Sequence, residues 1–214
     1  MRTRRIPCAL ALPALPLALL AGTLVSPTDS TQNAAQLRAA SAHGSAWAAA
    51  AVLELLAAVV MPLGVAGLVQ AVRGRGATLA TVGGALGVLG TVGMAAIAFR
   101  HVFVYGMATI DRAQALHALG RVDHVFGPIA LPLMFFGPIA FVVLAWSTAR
   151  AGIVSRWVPI GTVIFFVADL LPIPGAEVVQ QAIGIATFAV LARATLPGER
   201  RATQTAPNAV LAEA

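Results

Sequence analysis

This chain of 214 residues contains no lysine and a single cysteine, and only 10% of its residues are charged. One cysteine cannot form a disulfide within the chain, nor can it supply paired Cys-x-x-Cys metal ligands. Without lysine there is no phosphate-binding loop of the Gly-Lys-Ser or Gly-Lys-Thr type. Because charged residues make up about 25% of an average soluble domain, the low charge argues against a soluble fold.

Catalytic motifs are absent as well. The chain has no Gly-x-Ser-x-Gly nucleophile elbow and no His-Glu-x-x-His zinc motif. Its four histidines fall in outer loops or at the edges of apolar segments: His43, His101, His117 and His124. Zinc sites usually have tighter ligand spacing, and a haem would need histidines buried at matched depth. We therefore expect neither enzymatic activity nor a cofactor or metal.

Long apolar stretches dominate what is present. Hydrophobic residues make up 59% of the chain, and its mean hydropathy is +0.87. A hydrocarbon core of about 30 Å requires about 20 helical residues. Six segments of roughly that length are Ile6–Ser26, Ala46–Val72, Ala77–Phe99, Val125–Ala149, the shorter Trp157–Leu171, and Ala176–Leu196. We predict an all-α fold, a polytopic transmembrane helix bundle with six spans in one domain, residues 1–196, followed by a disordered polar tail, residues 197–214.

The arginines predict the orientation of this bundle, because cytoplasmic loops carry an excess of basic residues. All 14 basic residues are arginine. Ten fall on one side of the predicted bundle, namely Arg2, Arg4, Arg5, Arg73, Arg75, Arg150, Arg156, Arg193, Arg200 and Arg201, and four on the other, namely Arg38, Arg100, Arg112 and Arg121. Both termini are therefore expected in the cytoplasm. Cations at span ends, rather than on one face, also argue against nucleic-acid binding.

The first apolar segment has a second interpretation, a cleaved signal peptide. Residues 1–5 are basic and residues 8–20 are apolar, as in a signal peptide. The apolar run continues to Val25, however, and a small-x-small cleavage signature is indistinct, so a retained span is favoured. Cleavage would leave five spans and an outer amino terminus.

Two outer segments are predicted to contain short helices. Pro27–Ser30 supplies turn and N-cap residues ahead of a short helix, Ala34–Ala42. An amphipathic helix is predicted at Asp111–Val122, where it lies on the outer surface or caps the bundle.

Ionisable residues inside a membrane are costly and are candidate functional sites. Glu54 and Asp169 fall in the outer half of their spans, near the ends of the third and sixth helices. Glu177 and Gln180 share a face of the sixth helix with Gly184 and Thr187. We predict an outward-facing polar cavity lined by Glu54, Arg100, His101, Asp169, Glu177 and Gln180. The alternative is that these residues form structural ion pairs and interfacial contacts.

Small residues in the third span indicate helix packing. Gly83, Gly87 and Gly90 follow spacings of four and three, which place them on one face. Such stripes allow two membrane helices to approach closely. A groove lined by bare backbone, through which a substrate passes, is the functional alternative.

Four short motifs carry a resemblance to known proteins. They are Pro-Thr-Asp-Ser at residues 27–30, Arg-Gly-Arg-Gly-Ala at 73–77, Asp-Arg-Ala at 111–113 and Arg-Trp-Val-Pro at 156–159. The chain resembles a broad group of uncharacterised small six-span membrane proteins of high-GC Gram-positive bacteria, over most of residues 1–196. The resemblance implies a multi-pass protein of the bacterial plasma membrane. That group carries no established activity, so the resemblance implies no catalytic residue.

Two classes of function remain open at this point. A partner-binding or membrane-structural bundle, in contact with lipids and with a protein partner or a second copy, is favoured because no reaction chemistry is visible. A small oligomeric transporter or solute-binding protein is the alternative, supported by the prolines of the fourth span, the polar stripe of the sixth helix and the outer acids. Six short spans without an inverted repeat would need an oligomer to enclose a pathway.

Overall fold

The computed structural model describes residues 5–28, 30–168 and 176–196, with the backbone alone at residues 5, 176–179, 181 and 194. Within these ranges the chain forms helices and no strands. They are α1 (Arg5–Val25), α2 (Asn33–Ala42), α3 (Gly44–Ala71), α4 (Ala77–Met107), α5 (Arg112–Arg150), α6 (Trp157–Ala168) and α7 (Ala176–Thr195). The all-helical prediction is confirmed for the described residues. The end of the fifth predicted span and the tail lie outside them.

Four of these helices are long and apolar enough to cross a membrane. They are Ile6–Val25 of α1, together with all of α3, α4 and α5. Shorter apolar helices run over Trp157–Ala168 and Ala182–Arg193. The helical boundaries lie close to the expected ones for α1 and α3, whose predicted spans were Ile6–Ser26 and Ala46–Val72.

The helices α4 and α5 are longer than the sequence pattern predicts. α4 continues eight residues past Phe99, and α5 begins at Arg112 instead of Val125, so the predicted amphipathic helix and the fourth span are one helix of 39 residues. At about 1.5 Å per residue, α5 is roughly 58 Å long, nearly twice the hydrocarbon thickness. The helix is continuous because no helix-breaking residue other than Gly120 occurs between 112 and 125. Asp111 caps the amino end of α5, where its Oδ1 accepts hydrogen bonds from the N–H groups of Ala113 and Gln114 at 3.0 and 3.1 Å.

The chain divides into two compact units. The first, which we call the α6–α7 unit, comprises Met1–Pro13, Leu63–Gly84 and Phe141–Ala214. The second, the α2 unit, comprises Ala14–Pro62 and Ala85–Ala140. The division falls inside the long helices, and each unit has its own packing.

An aromatic cluster organises the α6–α7 unit. The ring of Phe141 contacts Phe188 edge-on, with centroids 4.9 Å apart, and stacks against Phe166 at 6.5 Å. Phe165 also contacts Phe188, at 5.9 Å. A Cβ added to Gly184 would lie 2.5 Å from the Phe165 ring. The glycine therefore lets α6 and α7 approach as closely as they do.

The turn between α3 and α4 depends on glycine. Gly74 and Gly76 have φ angles of 68° and 98°, a region that favours residues without a Cβ. A Cβ on Gly76 would also lie 2.6 Å from the backbone oxygen of Ser147. The Arg-Gly-Arg-Gly motif thus supplies a turn that packs against the last part of α5.

Within the α2 unit, a small hydrophobic core joins four helices. Its buried residues are Leu37, Ala40, Trp47, Val104, Ala115 and Leu119. We call the surrounding elements the helical cap, defined as α2, residues 44–53 of α3, residues 102–107 of α4 and residues 112–123 of α5. The helix predicted at 111–122 supplies Ala115 and Leu119 to this core.

The same unit contains a close approach between α4 and α5. A Cβ on Gly90 would collide with the backbone of Gly137, and one on Gly93 would collide with the backbone at Met134. Gly83 and Gly87, the other members of the predicted stripe, are buried. Gly83 belongs to the α6–α7 unit, whereas Gly87 and Gly90 belong to the α2 unit.

Candidate functional site

An extensive polar cluster surrounds Arg100, where the helical cap adjoins the rest of the α2 unit. Its Nε donates to Oδ1 of Asp123 at 2.7 Å, and one terminal nitrogen donates to Oδ2 at 3.3 Å. In this bidentate geometry, two nitrogens of the planar guanidinium group donate to the two oxygens of one carboxylate. The side chains of Arg100 and Asp123 are 22% and 35% exposed. The pair therefore joins α4 to α5 at a site that is partly shielded from water.

Two amides of α2 complete the cluster. Arg100 donates to Oδ1 of Asn33 at 2.6 Å and to Oε1 of Gln36 at 2.8 Å. The Asn33 amide in turn donates to Oδ2 of Asp123 at 2.8 Å, and the Gln36 amide donates to the backbone oxygen of Ser30 at 3.0 Å. Arg100 thus binds α2 and α5 at once. We call Arg100, Asp123, Asn33 and Gln36 the Arg100 cluster.

The charge of Asp123 is stabilised by this arrangement. Asp123 precedes the apolar segment 125–149, so it lies outside the predicted span. The hydrogen bond from Arg100 holds the pKa of the Asp123 carboxyl below its ordinary value, against partial burial, which acts in the opposite direction. The Asn33 amide and the positive charge of Arg100 lower the pKa further. The carboxylate is therefore ionised at neutral pH and holds its two partners.

A second polar pair joins α3 to α4. Nδ1 of His101 lies 2.5 Å from Oε2 of Glu54, and the two side chains are 22% and 25% exposed. The Trp47 indole N–H donates to the backbone oxygen of His101 at 2.9 Å. The indole also meets the imidazole edge-on, with ring centroids 5.5 Å apart. Trp47 therefore fixes both the backbone and the ring of His101 while its own ring fills the cap core.

The structure places the predicted cavity residues as follows. Glu54 and His101 are in contact, and Arg100 belongs to a separate hydrogen-bonded cluster. Gln180 lies in the α6–α7 unit and is only 3% exposed. Asp169 lies outside the described residues. Glu177 occupies the first turn of α7, and only its backbone is described. A cavity shared by all six residues stays a prediction.

Sequence reasoning missed four residues that complete these contacts: Asn33, Gln36, Asp123 and Trp47. A signal for Asp123 was present, because Arg100 and Asp123 have opposite charge at the adjoining ends of successive apolar segments. Asn33 and Gln36 are three residues apart and so share one face of α2. Trp47 gives no comparable signal, since its pairing with a backbone oxygen follows from the packing of α3 on α4.

The arrangement is suited to holding helices together. Over the described ranges, no group of three or more His, Cys, Asp or Glu side chains could hold a metal ion. His43, His117 and His124 are exposed. In both polar clusters the side chains are hydrogen-bonded to one another, which is how polar groups become tolerable at partly buried positions.

Comparison with known proteins gave no match: no family model, no curated protein and no solved structure matches this chain.

Proposed function

We propose that this chain is a six-span protein of the bacterial plasma membrane, with both termini in the cytoplasm, that displays the helical cap on the outer side to bind a partner. The role is binding, without catalysis. The observation that carries it is the Arg100 cluster, because these polar residues bind one another and fix the cap in place. In a solute pathway, such groups would instead need to be free to exchange partners with a solute.

The proposed orientation rests on the distribution of arginine. The α3–α4 turn and the α5–α6 connection carry Arg73, Arg75, Arg150 and Arg156, all of which are exposed in the α6–α7 unit. On the proposed outer side the sequence has four arginines, against ten on the proposed cytoplasmic side; the four are Arg38, Arg100, Arg112 and Arg121. The excess of basic residues at the first set of loops supports a cytoplasmic location for them.

The position of the Glu54–His101 pair along α3 supports the same orientation. With Ala71 taken as the inner end of the span, the 17 residues from Ala71 to Glu54 make about 26 Å of helix, which supports a position for the pair near the outer edge of a hydrocarbon core about 30 Å thick. The ten residues 44–53 then extend about 15 Å further. Because the headgroup layer adds only about 5 to 7 Å on each side, the far end of the cap reaches water.

The cap has the properties of a rigid binding element. Its core residues Val104 and Leu119 are fully buried, and Trp47 is only 4% exposed. Binding costs less free energy when the binding surface is already ordered. A cap with its own core and a polar cluster at its base presents such a surface.

Co-purification tests the proposal. The full chain, extracted in mild detergent with an affinity tag, is expected to carry a stoichiometric second protein. The pair Arg100→Ala with Asn33→Ala, which removes the side-chain hydrogen bonds of both residues at the base of the cap, is expected to lose that protein while remaining in the membrane. The matched control is Arg121→Ala, since Arg121 is exposed two residues from Asp123. Purification of the chain without any second protein would contradict the proposed role.

A transport function is the second candidate, and the Glu54–His101 pair is the observation that favours it. Carboxylate and imidazole side chains in or near a bilayer are residue types that mark ion and proton pathways in transporters. Purified protein in liposomes would then move solute as an oligomer, and Glu54→Gln would abolish that movement while folding is retained. A folded Glu54→Gln variant with unchanged activity would remove the support for this candidate.

A further inference from the structure

A groove of about 160 Å³ lies on the cap, between α2 and the connection from α4 to α5. Its floor is apolar and includes Leu37, Met107 and Ala115. Leu37 and Ala115 belong to the buried core, and Met107 packs against it. The floor is therefore formed by the packed core of the cap.

Two cations line the groove, Arg38 and Arg112, and both are exposed. The Nε of Arg38 donates to the backbone oxygen of Ala34 at 3.2 Å. The adjacent acid, Asp111, is engaged in capping α5 through Ala113 and Gln114 and does not line the groove. The groove therefore combines an apolar floor with a positively charged rim.

Its size limits what can occupy it. Sites for drug-sized ligands are roughly 300 to 1,000 Å³, whereas a cavity of about 150 Å³ holds one benzene ring. A groove of this size therefore suits a single aromatic side chain. A central apolar anchor surrounded by polar residues is also the usual energetic pattern of a protein interface.

The position of the groove relative to the membrane favours a ligand on the aqueous side. Met107 is six residues beyond His101, or about 9 Å along α4. In the proposed orientation the His101 pair lies near the edge of the hydrocarbon core, and the headgroup layer extends only about 5 to 7 Å beyond that edge. The groove then opens on the aqueous side of the headgroups.

We propose that this groove is the docking site for an aromatic side chain flanked by carboxylates on an extracytoplasmic protein partner. The aromatic ring packs on Leu37 and Met107, and the flanking carboxylates lie against Arg38 and Arg112. This inference rests on the proposed function, because it requires the cap to face outwards and to bind a protein.

A defined peptide tests the chemistry directly. The probe is acetyl-Asp-Asp-(4-fluoro-Phe)-Glu-Asp-amide, titrated by ¹⁹F NMR against the full chain in nanodiscs of phosphatidylcholine. Saturable broadening is expected with the unmodified protein. The double variant Arg38→Glu with Arg112→Glu is expected to weaken binding about tenfold or more, because two attractive rim charges become repulsive. The matched control Arg121→Glu, on the same side but away from the groove, is expected to bind as the unmodified protein does.

Several results would overturn the docking proposal. They are the absence of saturable binding, equal binding by the double variant, equal binding of a lysine-flanked peptide, and equal competition by a peptide with alanine in place of the aromatic residue. Loss of binding in nanodiscs containing phosphatidylglycerol, at a salt concentration that screens the charge of the lipid surface, would assign the groove to lipid headgroups and would also overturn the proposal. If a stoichiometric partner still co-purifies with the double variant, partner binding stands and only the groove assignment fails.

Discussion

Removal of the Arg100 side chain is the perturbation that the structure defines most sharply. Arg100→Ala deletes donors to three residues, namely Asp123, Asn33 and Gln36. Exposed ion pairs contribute about 0 to 1 kcal/mol, whereas removing one partner of a buried pair costs about 3 to 5 kcal/mol. Because the Arg100 and Asp123 side chains are 22% and 35% exposed, we expect an intermediate loss of about 2 to 3 kcal/mol in the unfolding free energy of the cap.

Tryptophan fluorescence can measure this loss locally. The chain has three tryptophans, and the two outside the cap, Trp146 and Trp157, are 53% and 76% exposed. Replacing both by phenylalanine leaves Trp47 as the reporter of the cap during a reversible titration with dodecyl sulfate in mixed micelles. A double-mutant cycle of Arg100→Ala and Asp123→Asn is expected to give a coupling energy of about 1 to 2 kcal/mol. Arg121→Ala should change stability by less than about 0.5 kcal/mol.

An Arg100→Ala variant that unfolds at the same detergent fraction as Arg121→Ala would refute the reasoning. So would a coupling energy of zero, because Nε of Arg100 lies 2.7 Å from Oδ1 of Asp123 and either substitution alone removes that ion pair.

Three further predictions use the same titration. Leu119→Ala should lower cap stability by about 2 to 4 kcal/mol through the cavity it leaves, whereas equal loss in the exposed Val125→Ala would contradict the core assignment. Gly90→Ala should lower the unfolding free energy by about 1 to 3 kcal/mol, because the added Cβ forces α4 away from α5. Its control is Gly127→Ala, which has open space at the Cβ and should leave the unfolding free energy unchanged or raise it by up to about 1 kcal/mol through helix propensity. Because the pKa of Asp123 is lowered in the folded protein, its ionised carboxylate stabilises the folded state at pH values above the unfolded-state pKa of about 3.9. The difference in unfolding free energy between the unmodified chain and Asp123→Asn should therefore be constant from pH 5 to 8 and shrink below about pH 4. A difference that grows on acidification would contradict the pairing.

The helices could be predicted from the sequence because the thickness of a bilayer sets the length of an apolar helix that crosses it. A run of about 20 apolar residues between arginines or glycines forms a helix that can span the bilayer. This rule locates α1 and α3 to within a few residues. It fails at Phe99, because hydropathy marks where a side chain leaves lipid and not where a helix ends. α4 continues to Met107 since Val104 finds a buried position against α2 and α5.

The polar contacts were only partly predictable, for a geometric reason. Arg100 and His101 are neighbours on one helix, and successive residues point about 100° apart. They therefore meet different partners, Asp123 and Glu54. A hydropathy pattern gives the depth of each polar residue, but the identity of its partner depends on how the helices are rotated and packed.

Accessibility labelling tests the central claim most directly, namely that the chain spans the membrane with its cap outside. In a Cys8→Ser background, His43→Cys marks the exposed end of α2, and Arg75→Cys marks the exposed α3–α4 turn. A membrane-impermeant maleimide is expected to label His43→Cys in intact cells, and to label Arg75→Cys only after the membrane is permeabilised. Labelling of Arg75→Cys in intact cells, with His43→Cys protected, would contradict the orientation. Equal labelling of both positions before and after permeabilisation would contradict the membrane bundle itself.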